Sequence, residues 1–232
     1  MSPRPKVDHL RKPQIVAAAA EVIYQRGFLE TRIGDIAKRA GTSGPTILYY
    51  FDSKDRLFEE VVDQSDREFY GRLTEGQARH ERASEKLVHL IEETSRGPGG
   101  ISDYTLWMEL WVRARRDRTV RRNYFRLNRR ERSLIAGIVR EGQENGEFSP
   151  AADPEEFALA LSALMDGLGV QVTLGQPDVT PQRMVARCLA LASSELGCEL
   201  RPTQSVNGDV HQADARGVND GDRSRRSGPT HS

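Results

Sequence analysis

Two stretches of this sequence concentrate side chains able to do chemistry. In the first, Thr42-Ser43-Gly44-Pro45-Thr46-Ile47-Leu48-Tyr49-Tyr50-Phe51-Asp52-Ser53-Lys54, hydroxyls, two tyrosines and a lysine surround one or two helical turns. With Ile47, Leu48 and Phe51 turned inward, Gly44, Pro45, Thr46, Tyr49 and Tyr50 remain outward. Thr46 can exchange hydrogen bonds with a base edge, or set its methyl group against that of a thymine. The tyrosine hydroxyls can reach phosphate oxygens, and Lys54 adds charge at a helix start whose amide donors already point outward. The same spacing also fits a short helix that merely packs, its tyrosines half buried. In the second stretch, Tyr104, Trp107, Met108, Glu109 and Trp111 set two indoles four residues apart with a carboxylate between them. Aromatic faces beside a carboxylate suit a pocket for a lipophilic or cationic small molecule. Plain core packing, with Glu109 in solvent, fits that spacing as well.

The elements that must position these residues all read as helices. Ile15, Ala19, Val22 and Ile23 share one face of a first helix closed by Gly27. Thr31 is placed to cap a second helix carrying Ile33, Ile36, Ala37 and Ala40, and Gly41 stops it. Ser43 caps a third with Pro45 in its first turn, and Ser53 a fourth in which Leu57, Phe58, Val61 and Val62 face inward. Longer helical patterns follow, near Glu85–Ser95, from Ser102 to Arg115, and from Val120 toward Gly146, with a breaker at Gly97-Pro98-Gly99-Gly100. Asp153-Pro154 and Thr180-Pro181 open the last two, and Gly197 closes the chain's final helix. No strand alternation of useful length appears, so the fold class is all-α. From Arg201 onward no Leu, Ile, Phe, Tyr, Trp or Met occurs, which predicts a disordered tail over 201–232.

Composition excludes several function classes. The five histidines never stand at metal-ligand spacing with cysteines or carboxylates, and no phosphate-cradling loop or nucleophile–base pair is visible. No catalytic residues, cofactor or metal are therefore expected. The apolar run Phe157–Leu174 carries Asp166 and Gln171, which argues against a membrane span, and no secretory signal is visible. Two cysteines, Cys188 and Cys198, ten residues apart, fit a reducing cytoplasm. Net charge is zero, yet residues 1–57 hold ten Lys/Arg against six acids. Arg113–Arg132 contains ten arginines and two acids, but with five lysines against 29 arginines in the chain a solvated face explains that run best.

Two short helices joined by Ala40-Gly41-Thr42-Ser43 have the proportions of a helix-turn-helix, whose second helix enters the major groove. Gly27-Phe28, Thr31, Asp35-Ile36-Ala37, Ala40-Gly41, Ser43, Thr46 and Tyr50-Phe51-x-Ser53-Lys54 hold both the order and spacing of one known domain. Over about residues 10–60 the chain resembles the N-terminal domain of the TetR family of bacterial regulators, mostly repressors. The resemblance implies a three-helix DNA-binding head over 1–57, and over 58–200 a larger helical body for ligand binding and dimerisation. It implies DNA-facing positions for Ser43, Gly44, Pro45, Thr46, Tyr49, Tyr50 and Lys54, with Thr42 beside them, and for Arg32 where the family often has a small hydroxyl residue. Gly44 and Leu48 depart from the usual pattern and reduce the base contacts expected of this helix.

The last two helical segments, around Leu164-Met165-Asp166-Gly167-Leu168-Gly169, resemble BetI-like members, where such a pair joins its copy in a four-helix interface. Leu161, Leu164, Met165, Leu168, Val172, Met184, Cys188 and Leu191 are the interface residues this implies. Gly167 and Gly169 each cost a helix about 1 kcal/mol relative to alanine, which a close backbone approach would offset. Together these features predict a cytoplasmic homodimer that binds a pseudo-palindromic double-stranded DNA operator and is released by a small-molecule effector. The alternatives are a helical DNA-binding or scaffolding protein without an effector and, least well supported, an α-helical enzyme.

Overall fold

The computed structural model describes residues 8–96 and 103–203. Among them the chain forms α1 (Asp8–Glu30), α2 (Ile33–Arg39), α3 (Gly44–Phe51), α4 (Lys54–Gln77), α5 (Ala83–Arg96), α6 (Asp103–Ala114), α7 (Arg118–Glu144), α8 (Pro154–Thr173) and α9 (Pro181–Leu196), with no strand. The Gly97–Gly100 breaker lies outside the described residues.

Helix ends follow capping chemistry. Ser43 Oγ accepts from the Thr46 N–H, Ser53 Oγ from Arg56, Asp153 Oδ1 from Glu155 and Glu156, and Thr180 Oγ1 from Arg183. Each such cap satisfies a donor that the helix leaves orphaned and is worth about 1 kcal/mol. Gly197 ends α9 in the left-handed region, φ 65°. The second helix corrects the sequence reading. Thr31 is buried and donates its hydroxyl to Gly27 O at 2.7 Å, so the cap position falls to Arg32, whose N–H donates to Asp35 Oδ2 at 3.2 Å.

Two apolar clusters organise the packing. One gathers α1, α2, α3 and the first turns of α4 around Ile15, Ile36, Ile47 and Phe58, and takes in Leu106 and Leu110 of α6 with Val120 and Leu127 of α7. The other joins the later part of α4 with α5, α7, α8 and α9 around Leu87, Ile91, Ile135, Leu161 and Cys188. α4 runs unbroken through position 57/58 and contributes to both clusters, and α6 sits between them.

After α9 the chain folds back. Leu200 N donates to Ser193 Oγ, and Thr203 donates from its N–H and its hydroxyl to the buried Glu92 carboxylate of α5. Arg201–Thr203 is thus held against α5, which corrects the start of the expected tail; residues 204–232 lie outside the described residues. Among the described residues no helix is long and apolar enough to cross a membrane.

Candidate functional site

The α2–α3 unit is built around a turn at Gly41 (φ 61°), with Ile36, Ala37, Ile47 and Phe51 buried beneath it. Thr42 is half-buried, its N–H donating to Ala37 O at 2.9 Å. Tyr49 stands 77% exposed on α3, and the Tyr50 ring meets it edge-on at 5.3 Å while resting partly on the core below. Leu48, expected to point inward, is 43% exposed. Ile47 and Phe51 stand one turn apart and fill the interior, and about 100° of helical rotation carries residue 48 away from them. The outward face of α3 is therefore Pro45, Leu48 and Tyr49, with Gly44, Thr46 and Tyr50 at its margin. Ser43 Oγ and Thr46 Oγ1 are 2.8 Å apart, so the Thr46 hydroxyl is held in place by the helix cap.

Arg32 is exposed at the start of α2. Lys54 is not simply a free charge: its ammonium donates to Phe28 O at 3.0 Å and Thr31 O at 2.9 Å and lies 4.2 Å from the centre of the Phe28 ring. An ammonium carries three donors, so one remains for a phosphate.

A cavity of about 70 Å³ lies among α4, α6, α7 and α8, several times the roughly 10–15 Å³ that one water needs. Phe69 and Tyr70 of α4, Tyr104, Trp107 and Trp111 of α6, and Tyr124 of α7 give it aromatic walls. Tyr104 donates its hydroxyl to Met165 O at 3.1 Å, and its ring occupies the space where a Cβ on Gly169 would stand. That glycine therefore admits a ring of the same chain. The Trp111 indole nitrogen is buried with no hydrogen-bond acceptor.

Three carboxylates complete the lining: Asp66, Glu131 and Asp166. Asp66 pairs with Arg130 Nη1 at 2.7 Å, yet burial still lifts its pKa above the ordinary value. Glu131 accepts from Ser162 Oγ at 3.0 Å and is also raised, by burial first. Asp166 makes no hydrogen bond or ion pair among the described residues, and burial, then the neighbouring Glu131, push its pKa to about 7. Aromatic faces with an unpaired buried carboxylate form a receptor for a cation. None of the three acids was singled out from sequence, though each sits where an apolar stripe demands a core residue: Asp66 between Val62 and Tyr70, Glu131 between Leu127 and Ile135, Asp166 beside Met165.

Of the five residues expected to form the pocket, Tyr104, Trp107 and Trp111 line the cavity; Met108 and Glu109 do not. α6 turns Glu109 the other way, where its Oε1 accepts the Phe28 N–H at 3.0 Å. Gly27 makes this approach possible, since its φ of 75° suits glycine and an added Cβ would stand 3.3 Å from the same oxygen. One turn on, Arg113 pairs with Asp55 of α4 and lies 4.0 Å from the Phe28 ring centre and 4.8 Å from that of Phe58. One helix thus carries a cavity wall on one side and grips the α1–α4 junction on the other.

The arginine run is partly occupied within the chain. Arg113, Arg126 and Arg130 pair with Asp55, Asp63 and Asp66 along α4, and Arg130 also stacks 3.7 Å over Tyr70.

The expected interface residues require a correction. Leu161, Met165, Val172, Met184 and Cys188 are buried in this chain's own core, so they leave no surface for a partner. Burial also lifts the Cys188 thiol pKa to about 12. Leu164, Leu168 and Leu191 are half-exposed, and Leu159, Ala163 and Gly167 of α8 with Ala186 and Ala190 of α9 are exposed beside them. Any interface on these helices uses that small-residue face.

Comparison with known proteins agrees with the head-and-body geometry. Residues 15–61 match the profile for bacterial regulatory proteins of the tetR family, and residues 83–197 that for the C-terminal region of BetI-type transcriptional repressors. A transcriptional regulator from Saccharomonospora viridis, solved in complex with choline, superposes with a TM-score of 0.72 at 31% identity, covering 76% of this chain and 92% of that one. The chain belongs to the TetR family. Among its relatives, the HTH-type transcriptional regulator BetI of Rhizobium meliloti is 27% identical over 190 residues, which span 79% of this chain and 88% of that protein. The fatty-acid regulator FadR of Bacillus subtilis, solved with stearoyl-CoA, shares the fold with a TM-score of 0.64 at 23% identity, covering 79% of this chain and 96% of that one. As a TetR-family member, the protein is a transcriptional regulator with a helix-turn-helix.

Proposed function

We propose that this regulator acts in the cytoplasm as a homodimer, holds a pseudo-palindromic operator through its two α3 helices, and releases it on binding a small organic cation of the quaternary-ammonium class. The observation that carries the effector class is Asp166, an unpaired carboxylate in a cavity walled by Tyr104, Trp107, Trp111 and Tyr124. A cation over aromatic faces gains about 0.5–2 kcal/mol per desolvated contact, and a buried carboxylate adds Coulomb attraction that water would otherwise screen. The choline found in the Saccharomonospora viridis relative belongs to this class. A long acyl chain with a phosphorylated headgroup fits poorly, because the cavity is compact and its lining acids would repel phosphate.

Pro45, Thr46 and Tyr49 reach base edges and Tyr50, Arg32 and Lys54 the phosphates, with Ser43 fixing the helix entry. Symmetry of a two-headed reader favours the dimer, through the exposed face of α8 and α9. Effector between α4, α6 and α7 displaces the indole wall, and α6 passes the shift to Phe28 through Glu109 and Arg113. Release follows only to the extent that the cation binds the DNA-free arrangement more tightly.

Two experiments test this reading: selection of DNA from a random pool by the purified protein, and calorimetric titration with choline. An enriched palindrome together with saturable choline binding is the expected result. A palindrome without choline binding would overturn the effector class while leaving the DNA reading intact.

A further inference from the structure

The Trp111 side chain lines the cavity, yet its indole N–H is buried and meets no acceptor in the protein. A buried donor left unpaired forfeits the hydrogen bond that water gave it, and native interiors tolerate few such groups. Tyr104, on the same wall, has its hydroxyl committed to Met165 O, so it does not serve Trp111. The cavity lining does hold acceptors, but Asp66 is engaged by Arg130 and Glu131 by Ser162, and the remaining one, Asp166, attracts positive charge.

We infer that Trp111 is a specificity-determining residue: its N–H is reserved for an acceptor on the effector, a neutral oxygen a short distance from the cationic centre. This rests on the cationic-effector reading above and narrows it. The bound molecule is an amino alcohol or a related ammonium compound with a hydroxyl or carbonyl oxygen, and not a plain tetraalkylammonium. A carboxylate in place of that oxygen is disfavoured, because Glu131 and Asp166 would face it. The indole serves twice, its face toward the cation and its N–H toward the oxygen.

Choline and propyltrimethylammonium have nearly the same shape and charge and differ in the hydroxyl, so they isolate this contact. Wild-type protein is expected to bind choline more tightly by roughly 2- to 10-fold, the range of one neutral hydrogen bond. Trp111→Phe keeps an aromatic wall without the donor and should bind the two equally. A second reading comes from the indole N–H resonance absent in that variant's NMR spectrum: in the wild type it should move downfield with choline and stay nearly fixed with propyltrimethylammonium. Equal wild-type affinities, a choline preference that survives Trp111→Phe, or an indole resonance indifferent to the hydroxyl would overturn the assignment while the cationic reading stands. If wild-type protein binds neither compound, both fall. If Trp111→Phe binds neither, the wild-type indole resonance alone decides between support and rejection.

Discussion

The backbone N–H of Phe28 donates to Glu109 Oε1 at 3.0 Å, joining residues 81 apart in sequence and tying α6 to the end of α1. Phe28 also gives its carbonyl to Lys54 and its ring to Lys54 and Arg113. One residue thus gathers contacts from α4, which begins behind the DNA-reading helix, and from α6, which walls the cavity. A hydrogen bond to a charged acceptor contributes about 1.5–3 kcal/mol, comparable with the 1–3 kcal/mol of a typical allosteric coupling.

Glu109→Ala should leave cation affinity within about twofold, because Glu109 does not line the cavity, yet it should blunt the release of DNA. Fluorescence anisotropy of the selected operator, with and without saturating choline, checks this. Undiminished release would show that the coupling runs through other contacts.

The cavity acids give the site a pH dependence. Asp166 has its pKa raised from 3.8 to about 7 by burial and by Glu131, so acidification neutralises it and should weaken cation binding as pH falls through about 7. The stability effect has a definite sign as well. A carboxyl raised on folding supports the fold fully below 3.8 and loses that support as pH rises through about 7. Asp166→Asn should therefore raise Tm more at pH 8 than at pH 5, while Glu131, raised in the same direction, retains part of the dependence. Thermal melts at the two pH values decide this; an equal gain at both would contradict it.

Two glycines of α8 should behave oppositely. A Cβ on Gly169 would lie 2.1 Å from Tyr104 Cζ, whereas one on Gly167 meets nothing within 4 Å. Gly169→Ala should cost about 1–3 kcal/mol by overpacking and should weaken cation binding through the displaced ring. Gly167→Ala should not destabilise the single chain, since alanine favours a helix by about 1 kcal/mol. Chemical denaturation of both variants measures the contrast.

On α3, Thr46→Ala should weaken binding to the selected operator by about 1–3 kcal/mol and leave binding to random DNA nearly unchanged. Ser43 Oγ still accepts the residue-46 N–H in this variant, so the helix cap survives and folding should not confuse the result. Equal loss on both DNAs would remove the base contact.

Helix starts and stops were legible in sequence because caps act locally: Ser43, Ser53, Asp153, Thr180 and Gly197 do what their types allow within a few bonds. Side-chain direction was less so, because it depends on what arrives from elsewhere. Glu109 reads as a pocket acid until α1 is seen to deliver the Phe28 N–H, and Thr31 as a cap until Gly27 O claims its hydroxyl. On α8 and α9 both faces are apolar, and α5 and α7 bury the larger residues while the small ones stay outside. The buried acids went unnoticed because a carboxylate on an apolar stripe is legible as a binding group only once the cavity beside it is known.

The most direct test of the account is to titrate choline into the protein bound to its selected operator, following DNA occupancy and choline binding in parallel. The account predicts that DNA is released over the concentration range in which choline fills the cavity, and that Asp166→Asn shifts both curves together. Choline binding that leaves DNA occupancy unchanged would contradict it.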